Sequence, residues 1–459
     1  MRPLMVSVAG VRGVIGESLT TEIACRWGAA FGTLLGAGAR VIIGRDSRGS
    51  GPVIEAAVTA GLRGAGCSVR LAGVLPTPTI QLATRDSDAR GGIAITASHN
   101  PLEWNALKFI REDGLFLSAD EGRTLRAIVE GGPLAVRSVA HDALGGEDTD
   151  DGAAERHIDR ILSLPYIDVA CVARRGLRVV VDCGNGAGSF VTPRLLERLG
   201  ADVTRLYCEP DGRFPRHAEP RAEHLGDLVR RVRETGADLG LAHDPDADRI
   251  VFVTGSGRAL MEEYSLAIAC ELILSSRPGG VVVTNLSTSQ MIDEIAARHG
   301  ARVERTAIGE ANVSHRMRDT GSIIGGEGNG GVIQPAVQLA RDGPAAAALV
   351  LMGLAERGAT LDQIVGGLPS FVMAKREVVV SELKLEHVGR RLEEEFGAGE
   401  TDRTDGLKIT WGRRWIHVRQ SGTEPIVRII AEAPSQQETT AMIDVAAGGM
   451  GSGATMAPH

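Results

Sequence analysis

One serine stands in a short polar stretch that directly follows an apolar run. The stretch at residues 96–101 reads TASHNP and comes after GGIAI, so Ser98 is expected at the carboxyl end of a buried strand. Open α/β sheets bind their ligands at that end. A hydroxyl becomes a useful nucleophile when a base or a charge assists it, and His99 and Lys108 are the candidate helpers. An ordinary polar turn is the alternative.

Three aspartates alternate with other residues in the stretch HDPDADR. Asp244, Asp246 and Asp248 would project their carboxylates to one side of an extended backbone, and Mg²⁺ prefers oxygen ligands clustered in this way. An EF-hand would need glycine and glutamate at two positions where this chain has Arg249 and Gly255. The spacing therefore favours a site for one magnesium ion over a solvated acidic turn.

A third loop, GGEGNGG at residues 325–331, combines glycines with two polar side chains. Glycines let a ligand approach the backbone closely. Glu327 and Asn329 carry groups that suit sugar hydroxyls. The polar side chains indicate sugar binding, and a plain flexible connection of the same composition is the alternative.

A fourth loop, RQSGTEP, offers many hydrogen-bond donors within five residues. Arg419 supplies a guanidinium, and Ser421, Gly422 and Thr423 supply hydroxyls and backbone N–H groups that suit a phosphate dianion. The loop lies between the apolar runs WIHVR and IVRIIAE, so a β-hairpin turn with a surface arginine is the alternative. The donors favour phosphate binding.

These loops must be held by the elements around them. Short apolar strands alternate with amphipathic helices along most of the chain, which predicts α/β layers with mixed, largely parallel sheets. The tracts GAGCSVRLAG, LGADVTRLY and HGARVERTAIG share a helix–Gly–strand joint, and this repetition predicts three similar α/β domains. After residue 370 the pattern changes to longer strands, one helix and another pair of strands, which indicates a smaller C-terminal α+β domain.

Breaks in composition divide the chain into four domains and a tail. The predicted units are a serine-loop domain over 1–150, a metal-loop domain over 151–255, a sugar-loop domain over 256–370, a C-terminal phosphate-binding domain over 371–447 and a flexible tail over 448–459.

The bulk composition excludes several classes of protein. Of 459 residues, 43% are hydrophobic and 24% charged, which excludes a disordered or fibrous chain. The net charge of −8 argues against a broad nucleic-acid surface. The longest nearly apolar run, residues 345–355, is too short to cross a membrane. We expect a cytoplasmic protein that binds a small molecule, with neither nucleic acid nor membrane as a partner. The oligomeric state stays open.

Taken in order, the loops resemble those of the α-D-phosphohexomutase family. TASHNP is similar to the family's phosphoserine loop, DPDADR to its metal loop, GGEGNGG to its sugar loop and RQSGTEP to its phosphate loop. The opening VAGVRGVIGESLT and the tract VDCGNGAGS also match family segments. The resemblance covers residues 6–432. It implies three similar α/β domains and a smaller C-terminal domain around a central cleft.

The resemblance also implies a reaction and a role for each loop. Phosphorylated Ser98 would move a phosphoryl group between hexose 6-phosphate and hexose 1-phosphate, with hexose 1,6-bisphosphate as intermediate and primer. The implied catalytic residues are Ser98, His99, Lys108 and Arg12. The implied ligands of one Mg²⁺ are Ser98, Asp244, Asp246 and Asp248. The implied substrate-binding residues are Arg249, Glu327, Asn329, Arg419, Ser421, Gly422 and Thr423.

Two loops depart from the usual family pattern. The metal loop has Pro245 and Ala247 where glycines are usual, but the spacing of the aspartates is unchanged, so metal binding should survive. The sugar loop has Asn329 and Gly331 in place of serine and histidine. Together with the RDG sequence at 341–343, this form is most similar to phosphoglucosamine mutases of archaeal type. The resemblance thus favours glucosamine 6-phosphate and glucosamine 1-phosphate.

Three other functions fit parts of the pattern. A phosphomannomutase/phosphoglucomutase would apply the same chemistry to another hexose. An aspartyl-phosphate phosphotransferase would use Asp244 as its nucleophile. A sugar-phosphate binding protein without turnover would keep the fold alone. The joint presence of Ser98, the three aspartates, Glu327 and Arg419 favours the mutase.

Overall fold

The structure is a computed structural model that describes residues 3–7, 10–132, 135–379, 383–420, 426–450 and 455–456. The described strands form four sheets, which follow one another along the chain. The first three sheets mix parallel and antiparallel strands and carry helices between them, whereas every pairing described in the fourth is antiparallel. The predicted fold class, three similar α/β domains with a C-terminal α+β domain, is confirmed.

The first sheet has seven strands and is flanked by four α-helices. Its strands are β1 (Met5–Ser7), β2 (Gly10–Val14), β3 (Arg40–Arg45), β4 (Ser68–Val74), β5 (Gly91–Ile95), β6 (Trp104–Arg111) and β7 (Glu147–Thr149). The helices are α1 (Thr21–Leu35), α2 (Gly51–Gly64), α3 (Thr77–Arg85) and α4 (Ala119–Glu130). The order across the sheet is β1-β2-β6-β5-β3-β4-β7. Phe31 and Phe109 pack in its core with their ring centroids 4.9 Å apart.

The second and third sheets have four strands each. The second region contains α5 (Ala153–Leu162), α6 (Val169–Arg175), β8 (Arg178–Asp182), α7 (Thr192–Arg198), β9 (Asp202–Leu206), α8 (Gly226–Thr235), β10 (Leu239–His243) and β11 (Ile250–Thr254). The third contains α9 (Glu263–Ser276), β12 (Val281–Asn285), α10 (Met291–Arg298), β13 (Arg302–Thr306), α11 (Glu310–Thr320), β14 (Ile324–Glu327), β15 (Gly331–Ile333), α12 (Gly343–Arg357) and α13 (Leu361–Gly366).

The three sheets repeat one connection pattern. In each repeat the first strand lies between the second and third and runs parallel to both, and the fourth strand pairs antiparallel with the third. The repeats are β3–β6, β8–β11 and β12–β15. The loop between third and fourth strands therefore has the same place in each repeat. The first two of these loops carry Ser98 and the three aspartates, and Glu327 ends the strand that leads into the third.

The second and third sheets share one hydrophobic core. Helix α12 belongs to the third region in sequence, yet it packs against α6 and α7 of the second as well as against α9. Its residues from Gly343 to Leu354 are all buried, because a helix that is apolar on every side must be covered on every side. This packing holds the metal loop and the sugar loop in fixed relation. Among the described residues, no helix is long and apolar enough to span a bilayer.

The fourth sheet has six strands in the order β17-β18-β19-β20-β16-β21. These are β16 (Val372–Val379), β17 (Glu400–Asp402), β18 (Leu407–Trp411), β19 (Arg414–Gln420), β20 (Val427–Ala433) and β21 (Thr455–Met456), with helices α14 (Leu385–Phe396) and α15 (Gln436–Gly448). The domain contacts the third region where Lys408 Nζ donates to the Leu286 carbonyl at 2.7 Å. Within the predicted tail, β21 pairs with β16.

Candidate active site

Ser98 lies in the loop between β5 and β6, and only 4% of its surface is exposed. Its φ of +49° is a left-handed conformation, which costs a residue with a Cβ about 1–2 kcal/mol. The hydroxyl donates to Asp244 Oδ2 at 2.7 Å, and His99 Nδ1 lies 3.3 Å from the same oxygen. The strained backbone thus aims Ser98 at the metal loop of the next domain.

A buried guanidinium holds the main chain of this loop. Arg48 donates to the carbonyl oxygens of Ser98, Asn100 and Pro101, each at 2.6 Å. Asp46 pairs with Arg48 Nε at 3.0 Å, and both side chains are fully buried. Asp46 and Arg48 follow β3 directly, at the edge where its neighbour β5 also ends, and that position is the only sequence signal for this missed contact.

Replacing Arg48 by methionine is expected to lower the free energy of unfolding by about 3–5 kcal/mol, because Asp46 would keep a buried charge that has lost its main partner. Thermal unfolding followed by circular dichroism measures the change. Arg40→Met is the control, since Arg40 pairs with the exposed Asp88 and should lose at most about 1 kcal/mol. Equal losses in both variants would contradict the role given to Arg48.

The three aspartates lie between β10 and β11 and are completely buried. One carboxylate oxygen of each lies within 4.8 Å of the others. Asp246 Oδ2 accepts from Thr77 Oγ1 at 2.8 Å and from Lys108 Nζ at 2.7 Å. Of the residues that the structure describes, none donates a hydrogen bond to Asp246 Oδ1 or Asp248 Oδ1. Buried oxygens of this kind fit a hard cation such as Mg²⁺.

Burial and mutual charge set the protonation of this cluster. Burial raises the pKa of Asp244 well above its usual value, and the charges of Asp248 and Asp246 add to the effect. Burial alone would also raise the pKa of Asp246, but the Lys108 ammonium and nearby hydrogen bonds outweigh it and lower that pKa. Burial would lower the pKa of Lys108, yet the charges of Asp246 and Asp248 raise it. Lys108 therefore carries its proton here.

His99 has the opposite protonation. Burial and the nearby charge of Arg249 hold the pKa of His99 well below its usual value, so the imidazole is neutral near pH 7. A neutral imidazole can accept a proton, whereas the Lys108 ammonium can donate one. His99 Nδ1 lies 3.3 Å from Ser98 Oγ, and Lys108 Nζ lies 2.7 Å from Asp246 Oδ2.

The tract GNGAGS at residues 184–189 supports the metal loop. Ala187 N–H donates to the Pro245 carbonyl at 2.8 Å. A Cβ on Gly186 would lie 2.6 Å from that same carbonyl oxygen, so only glycine permits this approach. Ala247, which stands where the family usually has glycine, has a φ of +51°. The metal loop thus keeps a glycine-like backbone at an alanine.

The sugar-loop residues have partners within the protein. Glu327 is buried, and its Oε1 accepts from Asn285 Nδ2 at 2.8 Å and from Gly309 N–H at 3.0 Å. Its Oε2 accepts from Arg341 Nη1 at 3.0 Å. A carboxylate has about four acceptor sites, so Glu327 keeps capacity for one further donor. Asn329 Oδ1 accepts from the Gly331 N–H at 3.2 Å and thereby shapes the hairpin turn.

Two arginines lie beside the serine and metal loops. Arg12, on β2, donates to Asn100 Oδ1 in the serine loop at 2.5 Å. Arg249 N–H donates to Asp244 Oδ1 at 3.2 Å, and its guanidinium lies 3.2 Å from Glu219 Oε1. Sequence reasoning missed Glu219, which stands in an irregular stretch with no pattern around it.

Arg419 lies at the end of β19 in the fourth domain. Its Nε donates to Asp405 Oδ1 at 3.1 Å, and the other oxygen of Asp405 accepts from Ile308 N–H in the third region at 3.0 Å. Arg419 is therefore held at the junction of the two domains. The remaining residues predicted for the phosphate loop, Ser421, Gly422 and Thr423, lie outside the described residues.

The chain matches four successive family domains. The descriptions read phosphoglucomutase/phosphomannomutase alpha/beta/alpha domain I at residues 4–134, domain II at 155–257, domain III at 262–371 and the C-terminal domain at 377–447. Together these matches span most of the chain.

Individual relatives agree with these matches. A Methanopyrus kandleri protein named "Probable phosphoglucosamine mutase" is 41% identical over 95% of both chains. A "Phosphoglucomutase/phosphomannomutase" of Thermococcus kodakarensis is 38% identical over 95% of this chain and 96% of its own. The crystal structure of a phosphoglucomutase/phosphomannomutase family protein from Burkholderia thailandensis superposes with a TM-score of 0.85 at 27% identity, covering 98% of this chain and 100% of that one.

The names of these relatives describe mutases, which are isomerases. The match extends over all four domains, in the same order as the loops that carry the serine, the aspartates and the glutamate. This chain belongs to the phosphoglucomutase/phosphomannomutase family of phosphohexomutases.

Proposed function

We propose that this protein interconverts hexose 6-phosphate and hexose 1-phosphate, with Ser98 as the carrier of the phosphoryl group. The observation that carries the proposal is the 2.7 Å hydrogen bond from Ser98 Oγ to Asp244 Oδ2, which joins a strained serine to a buried carboxylate cluster from another domain. Phosphoryl transfer depends on positioning and charge neutralisation more than on covalent chemistry. A rigid, buried carrier beside cationic groups supplies both.

In the first half of the proposed reaction, the bond between phosphorus and Ser98 Oγ breaks, and phosphorus bonds to the free hydroxyl oxygen of the sugar monophosphate. One acid–base group of the chain takes the hydroxyl proton and gives a proton to Ser98 Oγ, and His99 and Lys108 are the candidates. Neutral His99 would accept the hydroxyl proton first, whereas the Lys108 ammonium would first donate its own proton to Ser98 Oγ and then accept that of the hydroxyl. Arg12 and Arg249 lie beside the serine and metal loops, where guanidinium groups would stabilise phosphate oxygens. The product is a hexose bisphosphate.

In the second half, the bisphosphate turns so that its other phosphate faces Ser98. That P–O bond breaks, phosphorus bonds to Ser98 Oγ, and the serine proton returns to the sugar oxygen through the same base. Arg419, with Ser421, Gly422 and Thr423, would hold the phosphate that is not transferred. The fourth domain contacts the third through polar groups such as Lys408, which suits a domain that opens for this turn.

The three aspartates and the Ser98 oxygen would hold one Mg²⁺, which when bound neutralises charge on the transferred phosphoryl group. A chelator is therefore expected to abolish turnover and to lower the midpoint of thermal unfolding. A ligand at a hundred times its Kd stabilises the folded state by about 2.7 kcal/mol, so restoring Mg²⁺ should raise the midpoint again. Asp246→Asn should lose this response. An unchanged midpoint and full activity under chelation would contradict the metal site.

Glucosamine phosphate is the proposed substrate pair. The sugar loop with Asn329 and Gly331 and the 41% identity to a protein named "Probable phosphoglucosamine mutase" support it. The second candidate is mannose or glucose phosphate, which the name of the Thermococcus kodakarensis relative favours at 38% identity.

A coupled assay on glucosamine 6-phosphate, mannose 1-phosphate and glucose 1-phosphate distinguishes the candidates. Each reaction contains Mg²⁺ and glucose 1,6-bisphosphate as primer. We expect the highest kcat/KM for glucosamine 6-phosphate. A higher value for mannose 1-phosphate or glucose 1-phosphate would assign the second candidate, and no turnover on any sugar would contradict the proposal.

A further inference from the structure

One guanidinium stands between the metal loop and the sugar loop. Arg341 is buried and immediately precedes the capping residue of α12. Its Nη2 donates to Asp248 Oδ2, its Nη1 to Glu327 Oε2 at 3.0 Å and its Nε to Glu310 Oε2 at 3.0 Å. Each of the three carboxylates comes from a different segment, so a single side chain joins the metal loop, the sugar loop and the start of α11.

The guanidinium of Arg341 offsets the negative charge of three neighbouring carboxylates. Asp248, Glu310 and Glu327 are all buried, and carboxylates this close together repel one another. A divalent cation attracts every carboxylate within reach, because it prefers several oxygen ligands. Arg341 occupies one oxygen of each glutamate in ion pairs. Arg341 therefore competes with a cation for Glu310 and Glu327. It contacts Asp248 through Oδ2, so it does not occupy Oδ1 of that aspartate.

The side chain of Arg341 fills the space that a side chain at position 331 would occupy. A Cβ added to Gly331 would lie 2.2 Å from Arg341 Cδ and 3.0 Å from its Cγ. The φ of Gly331 lies outside the left-handed region, so the backbone itself would accept a side chain. Arg341 in its present position thus excludes any side chain at 331. The glycine that replaces the usual histidine of the sugar loop makes room for the arginine.

We propose that Arg341 is a positioning residue that separates the carboxylates of the two loops. It holds Glu310 and Glu327 away from the cation site and keeps Glu327 oriented toward the sugar, which deepens the proposed function and rests on it. Its positive charge beside Asp248 also moderates the affinity of the aspartates for a cation. Arg341 thereby lowers the affinity of the site for a cation and keeps the sugar loop ordered.

Arg341→Met tests this separation, because it removes the charge and keeps much of the aliphatic stem. Isothermal titration with Mn²⁺ should show affinity increased about fivefold or more, since the glutamates become available to the cation. The kcat/KM for glucosamine 6-phosphate should fall about 10²-fold, since a misplaced positioning group costs that much. If Arg341 only stabilised the fold, its replacement would lower both the Mn²⁺ affinity and kcat/KM. Unchanged or weaker Mn²⁺ binding by Arg341→Met would overturn the proposal.

Two further variants displace or retain the charge by other routes. Gly331→Ala pushes the Arg341 stem aside and should also lower kcat/KM, and it decides the question if Arg341→Met does not fold. Wild-type kcat/KM in Gly331→Ala would overturn the proposal. Arg341→Lys keeps a positive charge but cannot reach all three carboxylates, so its Mn²⁺ affinity should lie between those of the wild type and Arg341→Met, and its turnover should stay slow. Arg316→Met, which alters an exposed ion pair with Glu304, is the control and should change neither value.

The metal titration needs no turnover. If the wild type proves inactive on every hexose phosphate, the proposed function fails, while the difference in Mn²⁺ affinity between the wild type and Arg341→Met still decides the role of Arg341.

Discussion

Ser98→Ala is expected to lower mutase turnover by about 10⁴-fold or more, because it removes the atom that carries the phosphoryl group. No second described hydroxyl can replace it: Thr77 Oγ1 already donates to Asp246 Oδ2, and Thr96 Oγ1 donates to Asp46. The three aspartates keep their positions in this variant, so Mn²⁺ binding should persist. Loss of turnover with retained metal binding would separate a chemical role from a folding defect.

The measurement is the coupled assay on glucosamine 6-phosphate, beside a Mn²⁺ titration of each protein. Ser87→Ala is the matched control, since Ser87 is exposed in the same domain, and its hydroxyl donates to the Thr84 carbonyl and accepts from the Ala89 N–H, far from the serine loop. We expect wild-type turnover in the control. Activity that survives in Ser98→Ala would rule out the phosphoserine and direct attention to Asp244.

Lys108→Ala has the second-largest expected effect, a fall in turnover of about 10²-fold or more with little change in sugar binding. Lys108 Nζ lies 2.7 Å from Asp246 Oδ2 and 3.8 Å from Asp248 Oδ2, so it adjoins the metal loop rather than the sugar loop. Steady-state kinetics on the same sugar gives both parameters. Near-normal turnover would contradict the role of Lys108 as acid or base.

Lys108→Arg shows which property of the lysine matters. Arginine keeps the positive charge beside Asp246 but does not release its proton at neutral pH. If Lys108 transfers a proton, Lys108→Arg should be as slow as Lys108→Ala. Recovery of most of the activity in Lys108→Arg would show that charge alone suffices, and His99, which is neutral, would then be the candidate for proton transfer.

Those parts of the site that are formed by residues close together in the chain can be predicted from the sequence. Asp244, Asp246 and Asp248 need only their own spacing and a flanking strand to bring one carboxylate oxygen of each within 4.8 Å of the others, the arrangement proposed for the cation site. The repeated helix–Gly–strand joints likewise indicate three similar domains, because each repeat folds by the same local rules. The equivalence of the three loops follows from that repetition, although only the sheet topology makes it visible.

The missed features depend on contacts between distant segments. Arg48 clamps a loop about 50 residues away in the chain, and Arg341 reaches Asp248, 93 positions earlier. No periodicity or motif encodes such pairs. The burial of Glu327 was also unpredictable, since a glutamate between glycines suggests an exposed, ligand-facing side chain. The core shared by the second and third sheets depends on α12, whose apolar surface does not reveal which neighbours cover it.

The most direct test of the account is to find where a labelled phosphate goes. The purified protein is incubated with Mg²⁺ and ³²P-labelled glucose 1,6-bisphosphate, and the labelled peptide is identified by mass spectrometry. We predict label on Ser98 that resists hydroxylamine and is chased off by unlabelled glucosamine 6-phosphate. Label on Asp244 that hydroxylamine removes would establish an aspartyl phosphate instead. A protein that binds the sugar phosphate but takes up no label would be a binding protein, and either result would contradict the account.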